Sequence, residues 1–257
     1  MLWVIKSCYY SLYGQKDRLL DIWPILKESP VLKLFGYSPL IHSAFNANLE
    51  LFTTPQIIEP YFPCSGIPGE NMKDALQSEP PSRCADPYQP IPGLLALHLR
   101  RGDFDGHCQH LAKWSSEWMG FNSFPSFPDQ WTKPEGAGWG ETTEENVQLY
   151  MRRCFPTVEQ IVTRIEEVRK SPAAKGLKDI YIMTNGKPDW VADLKAALRS
   201  QGGWDKIASS RDLIITREQK EVAQAIDMMI GEKAQILIGN GVSAQLQYIF
   251  PGSYLLT

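Results

Sequence analysis

From residue 93 onward the chain alternates short apolar runs with amphipathic stretches. Residues 94–99 (LLALHL) form an apolar run that ends in polar residues, the pattern of a strand buried on both faces. Thr157 and Gln160 have the spacing of a capping box, and Val158, Ile161, Val162, Ile165 and Val168 fall on one helical stripe behind it. Residues 179–184 (DIYIMT) predict a second strand, and residues 187–200 a helix with Trp190, Val191, Leu194 and Leu198 facing inward. A third strand is expected over 213–216 (LIIT). A helix follows over 218–232, with Val222, Ala225, Ile226 and Met229 apolar. A last strand over 235–239 (QILIG) leads through Asn240-Gly241 into a helix expected from Val242. Strands alternating with helices in this way predict a parallel α/β sheet.

The first 92 residues lack this regularity. One helix is expected over about 17–27, with Leu19, Leu20, Trp23 and Leu26 on one face and Pro24 bending it. Prolines and glycines then recur from Pro55 to Pro92, which predicts an extended connection. Residues 104–142 are expected to be a long loop carrying Trp114, Trp118, Trp131 and Trp139. A loop of that length with so many aromatics favours a functional role. The chain therefore divides into 1–92, irregular, and 93–257, an α/β unit.

Composition narrows the functional classes. With 26 basic and 29 acidic residues the formal charge is −3, which argues against a broad nucleic-acid or anionic-membrane surface. No apolar run approaches the ~20 residues that span a bilayer. The start of the chain lacks a signal-peptide pattern. The five cysteines contain no C-x-x-C pair, so a zinc ribbon or thioredoxin-type site is not expected. Cys64/Cys84 and Cys108/Cys154 each bracket a loop. Two disulfides in an oxidising compartment and buried free thiols fit them equally.

The main chemical signal is His98-Leu99-Arg100-Arg101-Gly102-Asp103 at the end of the first strand. Side chains alternate along a strand, so His98 and Arg100 share one face and Leu99 and Arg101 the other. Ligands of open parallel sheets bind beyond the carboxyl ends of the strands. Arg100 there offers a planar, permanently charged fork for phosphate oxygens, with Gly102 permitting close approach and Asp103 orienting Arg100 or capping the turn. A structural ion pair is the plainer account, and the Arg-Gly-Asp tripeptide is too short to signify adhesion. A second signal is Ile238-Gly239-Asn240-Gly241-Val242-Ser243, a strand-to-helix turn whose small residues expose amides to an anion, with the Ser243 hydroxyl beside them. It is neither a three-glycine dinucleotide fingerprint nor a P-loop. Asp103, Asp105, His107, Cys108 and His110 lie close together but match no zinc spacing, so no metal site is expected. No Gly-x-Ser-x-Gly elbow supports a serine hydrolase.

These same residues carry a family resemblance. HLRRGDF at 98–104 resembles the His-x-Arg-x-Gly-Asp strand-end motif of the GDP-fucose protein O-fucosyltransferases and their fungal relatives. DFDGHCQHLAKW (103–114), RRCFPTVEQI (152–161), IYIMTNGKPDW (180–190) and AIDMMIGEKAQILIGNG (225–241) resemble successive segments of the fungal group, in order. The resemblance implies a GT-B glycosyltransferase whose Rossmann-like C-terminal half, here 93–257, binds GDP-fucose without an obligatory metal or other cofactor. It implies that Arg100 holds the diphosphate as the catalytic group, with His98 in the same pocket. Asp227 falls to the nucleotide side, and Ser243 to the first small hydroxyl position near the phosphates.

The Asn-Asn-Gln segment that opens the family's N-terminal half has no counterpart here. Residues 1–92 are thus expected to enter that region part-way, and the chain to stop short of a closing helix. Thr184-Asn185 stands where some relatives have Thr-Asp. The expected activity is fucose transfer from GDP-fucose to a protein hydroxyl, in the secretory pathway as for the family. A protein or glycan acceptor would lie at the Trp-rich loop. The alternatives are a nucleotide-sugar-binding pseudoenzyme and a glycan- or protein-binding module.

Overall fold

The computed structural model describes residues 21–22, 24–26, 28–30, 36–53, 90–116, 131–135, 138–240 and 253–255. Five strands form one wholly parallel sheet: β1 (Ile91–Leu99), β2 (Asp179–Thr184), β3 (Lys206–Ser209), β4 (Ala234–Gly239) and β5 (Ser253–Leu255), in the spatial order β3-β2-β1-β4-β5. The expected parallel α/β sheet is present. β1 begins three residues earlier than its apolar run predicts, at Ile91. Pro92 cannot donate to the ladder and Gly93 has φ +84°, so the pairing with β4 shifts between Ile91 and Leu95 as in a bulge.

The helices are α1 (Pro39–Ala47), α2 (Asp105–Lys113), α3 (Glu144–Cys154), α4 (Val158–Arg169), α5 (Pro188–Gln201), the single turn α6 (Arg217–Lys220) and α7 (Ala223–Lys233). The capping box of α4 forms as expected, with reciprocal bonds between Thr157 and Gln160. Alternation along the strands sends Leu95, Leu97 and Leu99 to one face, against Ile161, Ile165 and Val168 of α4 and Leu194 and Leu198 of α5. Leu94 and Ala96 face the other way with Tyr181 and Met183, against Ile226, Met229 and Ile230 of α7. Ile41, Ala44 and Phe45 of α1, with Phe52 beyond it, complete that second face. Helices thus cover both faces of the sheet.

Several expectations are corrected. Residues 213–216 are not a strand: Leu213 and Ile215 pack beside α1 and α7, while Ile214 is exposed. The Ile214 backbone bonds the Asn48 side chain in both directions, N–H to Oδ1 at 2.8 Å and C=O from Nδ2 at 2.9 Å, so one amide replaces a strand partner. The third strand is instead 206–209 (KIAS), a short run hidden by its lysine. That lysine belongs there because its Nζ donates to the carbonyls of Glu50 and Thr53 at 2.6 and 2.7 Å. The helix expected over 218–232 breaks into α6 and α7 at Glu221 and Val222. Within the expected loop 104–142, residues 105–113 are α2, and α3 follows the loop as a helix that apolar periodicity did not reveal. Residues 21–22 and 24–26 are helical; the rest of 17–27, and the helix expected from Val242, lie outside the described residues.

Candidate functional site

Chain order and strand order together locate a switch point in the sheet. From the central β1 the chain moves outward through β2 to β3, then crosses to the opposite side of β1 for β4. The order reverses between β1 and β4, and crevices at such switch points, beyond the carboxyl ends of the strands, are where open parallel sheets bind ligands. Arg100 follows β1 at that point, and Asn240 follows β4.

His98 lies in register with Met183 on one side and Gly239 on the other. Burial, reinforced by the neighbouring Arg100 charge, lowers its pKa to about 4, so the imidazole is neutral near pH 7. Arg100 is partly exposed. Its Nη2 meets Asp103 Oδ1 at 3.1 Å, its guanidinium lies 4.9 Å from the Phe104 ring centroid, and its buried Nε has no hydrogen-bond partner among the described residues. Arg101 turns to the opposite face, as alternation predicts. There its guanidinium sits over the rings of Phe155 at 3.7 Å and Trp190 at 4.7 Å, and it donates to the carbonyl of Pro156. One arginine stands partly exposed at the switch point and the other is stacked against the opposite face.

Two asparagines fix the backbone between them. Asn240, 1% exposed, accepts from the Arg100 N–H (3.4 Å) and donates through Nδ2 to the carbonyls of Arg100 (3.0 Å) and Cys154 (2.8 Å). Asn185, just after β2, accepts at Oδ1 from the N–H groups of Arg101 (2.7 Å) and Gly102 (3.1 Å), while its Nδ2 donates to Asp103 Oδ1 (3.3 Å). A Cβ on Gly102 would stand 2.6 Å from Asn185 Nδ2, so glycine is required for that close approach. The Asp103 carboxyl is held below its ordinary range by a bond to its own backbone amide and by Arg100 and Asn185.

Asp227, near the start of α7, accepts from Tyr181 Oη at 2.7 Å and from Ser210 Oγ at 2.9 Å. Burial raises its pKa to about 6 against the opposing effect of those two hydroxyls. It lies on the same sheet face as His98, but its hydroxyl partners belong to β2 and to the segment after β3. Gly239 ends β4. Gly241 and Ser243 lie outside the described residues.

Cys108 and Cys154 form a disulfide that joins α2 to α3, both sulfurs fully buried beside Ala112 and Tyr150. Cys64 and Cys84 lie outside the described residues. The acidic and histidine cluster after β1 is dispersed by this arrangement, with Cys108 bonded to Cys154 and His107 edge-on to Phe104. Among the described residues no group of three potential ligands is placed to hold a metal. No helix among them is long and apolar enough to cross a membrane.

The tryptophan loop divides in two. Trp131 packs edge-on to Tyr150 at 5.0 Å, beside the disulfide. Trp114 is about half exposed and Trp139 is 92% exposed. Gly138 and Glu141 exchange two backbone bonds around Trp139 (φ +56°) and Gly140 (φ +86°), and the Gly140 N–H donates to the Lys113 carbonyl. Positive φ at both central residues marks a tight hairpin turn that glycine or asparagine normally occupies. Trp118 lies outside the described residues.

Asn185, the Tyr181–Ser210 pair and the stacked position of Arg101 were missed as site features. Only Thr184-Asn185 carried a signal, as a departure from a Thr-Asp pattern.

In comparisons with known proteins, the family model described as GDP-fucose protein O-fucosyltransferase matches residues 70–252. No curated protein sequence matches the chain. Among solved structures it is similar to POFUT1 in complex with GDP, at 14% identity and TM-score 0.38, over 63% of this chain and 41% of that one. It is also similar to apo POFUT1 (18%, TM-score 0.37, 64% of this chain and 41% of that one) and to POFUT1 with GDP-fucose (16%, TM-score 0.36, 63% and 39%). The chain thus spans about two fifths of the length of these structures.

Proposed function

The chain belongs to the GDP-fucose protein O-fucosyltransferase family, and from that premise we propose that its parallel-sheet unit binds a GDP-sugar and serves fucose transfer to a protein hydroxyl. The observation that carries this is Arg100: a guanidinium at the switch point, with a buried Nε–H lacking a partner among the described residues. A diphosphate oxygen supplies the missing acceptor. The Arg100–Asp103 pair is a ready exchange partner, because both side chains are substantially exposed and such pairs are weak.

Breaking the fucosyl–phosphate bond puts negative charge on the departing GDP while an oxocarbenium-like sugar forms. A fixed guanidinium lowers that barrier selectively, because its attraction grows with the charge. Arg100 is thus the proposed catalytic group, with neutral His98 lining the donor pocket. Gly239, the Gly241 amide and the hydroxyl of Ser243 are assigned to the phosphates and Asp227 to the nucleotide, whereas the Asn240 N–H is already taken by the His98 carbonyl at 3.2 Å. Charge neutralisation by Arg100 asks for no resident metal, so GDP affinity unchanged by a chelator supports the assignment. The Cys108–Cys154 disulfide favours an oxidising compartment such as the secretory pathway. Trp139, held exposed in a turn that disfavours its side chain, is the proposed acceptor contact.

Calorimetric titration with GDP and GDP-fucose, followed by hydrolysis and transfer assays, tests the assignment. Binding that disappears in Arg100→Ala, with turnover in the parent, supports it. Binding without turnover supports the pseudoenzyme alternative, and absence of both overturns the donor-site assignment.

A further inference from the structure

The segment that carries Arg100 lies between the tops of two neighbouring strands, and a single asparagine projects from the end of each. Asn240, after β4, takes both the N–H and the C=O of Arg100. Asn185, after β2, takes the N–H groups of Arg101 and Gly102. Three consecutive amides that have left the β1 ladder are thereby bonded by two side chains, one from each flank. These groups lie at the mouth of a crevice, where water would otherwise compete for them.

We infer that Asn185 and Asn240 are positioning residues that hold the Arg100–Gly102 backbone, so that the Arg100 guanidinium is aimed at the crevice before any ligand arrives. This rests on the donor-site assignment of Arg100 given above. The two side chains do different work. The Asn240 amide also bonds the carbonyl of Cys154, tying Arg100 to the end of the disulfide-linked α3. The Asn185 amide bonds Asp103, the counter-ion of Arg100, and so sets where the guanidinium rests in the unliganded protein. Neither asparagine need touch substrate. Asn240 is too buried, with both ends of its amide engaged, and Asn185 has its oxygen on two backbone N–H groups and its nitrogen on Asp103. The Asn240 backbone N–H is likewise taken, by the His98 carbonyl at 3.2 Å, so the direct phosphate contact expected of Asn240 gives way to a positioning role.

Amide hydrogen exchange of the intact chain, with GDP titration, tests the inference. Asn185→Ala removes an exposed side chain and is expected to fold; its Arg101 and Gly102 amides should exchange at least tenfold faster, with the Arg100 amide unchanged. GDP affinity should fall about tenfold. Asn185→Asp keeps the acceptor oxygen and should restore protection of both amides. Asn240→Ala should release the Arg100 amide instead. Should that buried variant fail to fold, Asn240→Asp, which keeps the acceptor and loses both donor bonds, should leave the Arg100 amide protected and still lower GDP affinity.

Protection of all three amides at parental rates in Asn185→Ala overturns the inference, as does lost protection with unchanged GDP affinity. Failure of the donor-site assignment looks different: Arg100→Ala would then bind GDP like the parent, while the exchange pattern of the asparagine variants would still report whether the clamp exists.

Discussion

Arg101 lies over Trp190 at 4.7 Å from ring centroid to guanidinium carbon, with Phe155 on it at 3.7 Å. Its neighbour Arg100 shares none of these contacts. Adjacent, chemically identical side chains are therefore committed to different tasks by the alternation of one strand. Arg101→Ala should lower stability by about 1–3 kcal/mol, since it loses two aromatic contacts and a bond to Pro156. Arg100→Ala should cost less than about 1 kcal/mol while abolishing GDP binding. Thermal unfolding and GDP titration of both variants check the division; equal loss of stability in the two would defeat it.

Trp139 sits in a turn that favours asparagine or glycine at its position. Trp139→Asn should relieve about 1 kcal/mol of backbone strain and raise the melting temperature by roughly 2–4 °C. GDP binding should be unchanged, and transfer to a folded protein acceptor should fall. A melting temperature that drops would show that the indole supports the fold.

Two buried groups give opposite pH dependence. His98 has a folded pKa of about 4 against an ordinary 6.5, so the unfolded chain takes up its proton first. Its contribution is intact above pH 6.5 and is lost as pH falls toward 4, by on the order of 1–3 kcal/mol. Asp227, at about 6 against an ordinary 3.8, binds its proton first in the folded state. Its contribution is full below pH 3.8 and is lost as pH rises through 6. Between pH 4 and 6 the two slopes oppose each other. Asp227→Asn should therefore steepen the loss of stability on acidification, and His98→Gln should flatten or reverse it. Urea unfolding at half-unit pH steps reads both slopes, and identical profiles for the two variants would refute the assignment.

The Cys108–Cys154 bridge closes a loop with a sequence separation of 46, which in the chain-entropy account stabilises by about 4 kcal/mol. Reduction, or Cys108→Ser with Cys154→Ser, should lower the melting temperature by several degrees. Asn240 bonds the Cys154 carbonyl, so GDP affinity should weaken as well. An unchanged affinity would mean that α3 stays seated without its bridge.

Strands buried on both faces and helices with one apolar stripe were legible because their apolar residues run together or recur with a helical period, as in residues 94–99, 179–184 and the stripe from Val158 to Val168. Elements whose partners are polar were not. The edge strand over 206–209 carries a lysine that serves the carbonyls of Glu50 and Thr53, and residues 213–216 look like a strand but are satisfied by Asn48. Helix α3 opens with Glu144-Glu145-Asn146 and buries few apolar groups, so its pattern is faint. In the candidate site, Arg100 was legible from its place at a strand end. Asn185 was not, because its use depends on a residue 84 positions away.

Phe45 and Phe52 meet at 5.3 Å between ring centroids, and Phe52 meets Tyr181 of β2 at 5.7 Å. Tyr181 is the same residue whose hydroxyl bonds Asp227. The wall behind that acidic group is therefore assembled from both ends of the chain. A fragment beginning at residue 90 would contain every described strand yet bare the part of one sheet face that α7 leaves to α1 and Phe52, with Tyr181 uncovered where Phe52 had been. Such a fragment should self-associate through that bared face, and nucleotide-site chemistry studied in it would belong to a different environment.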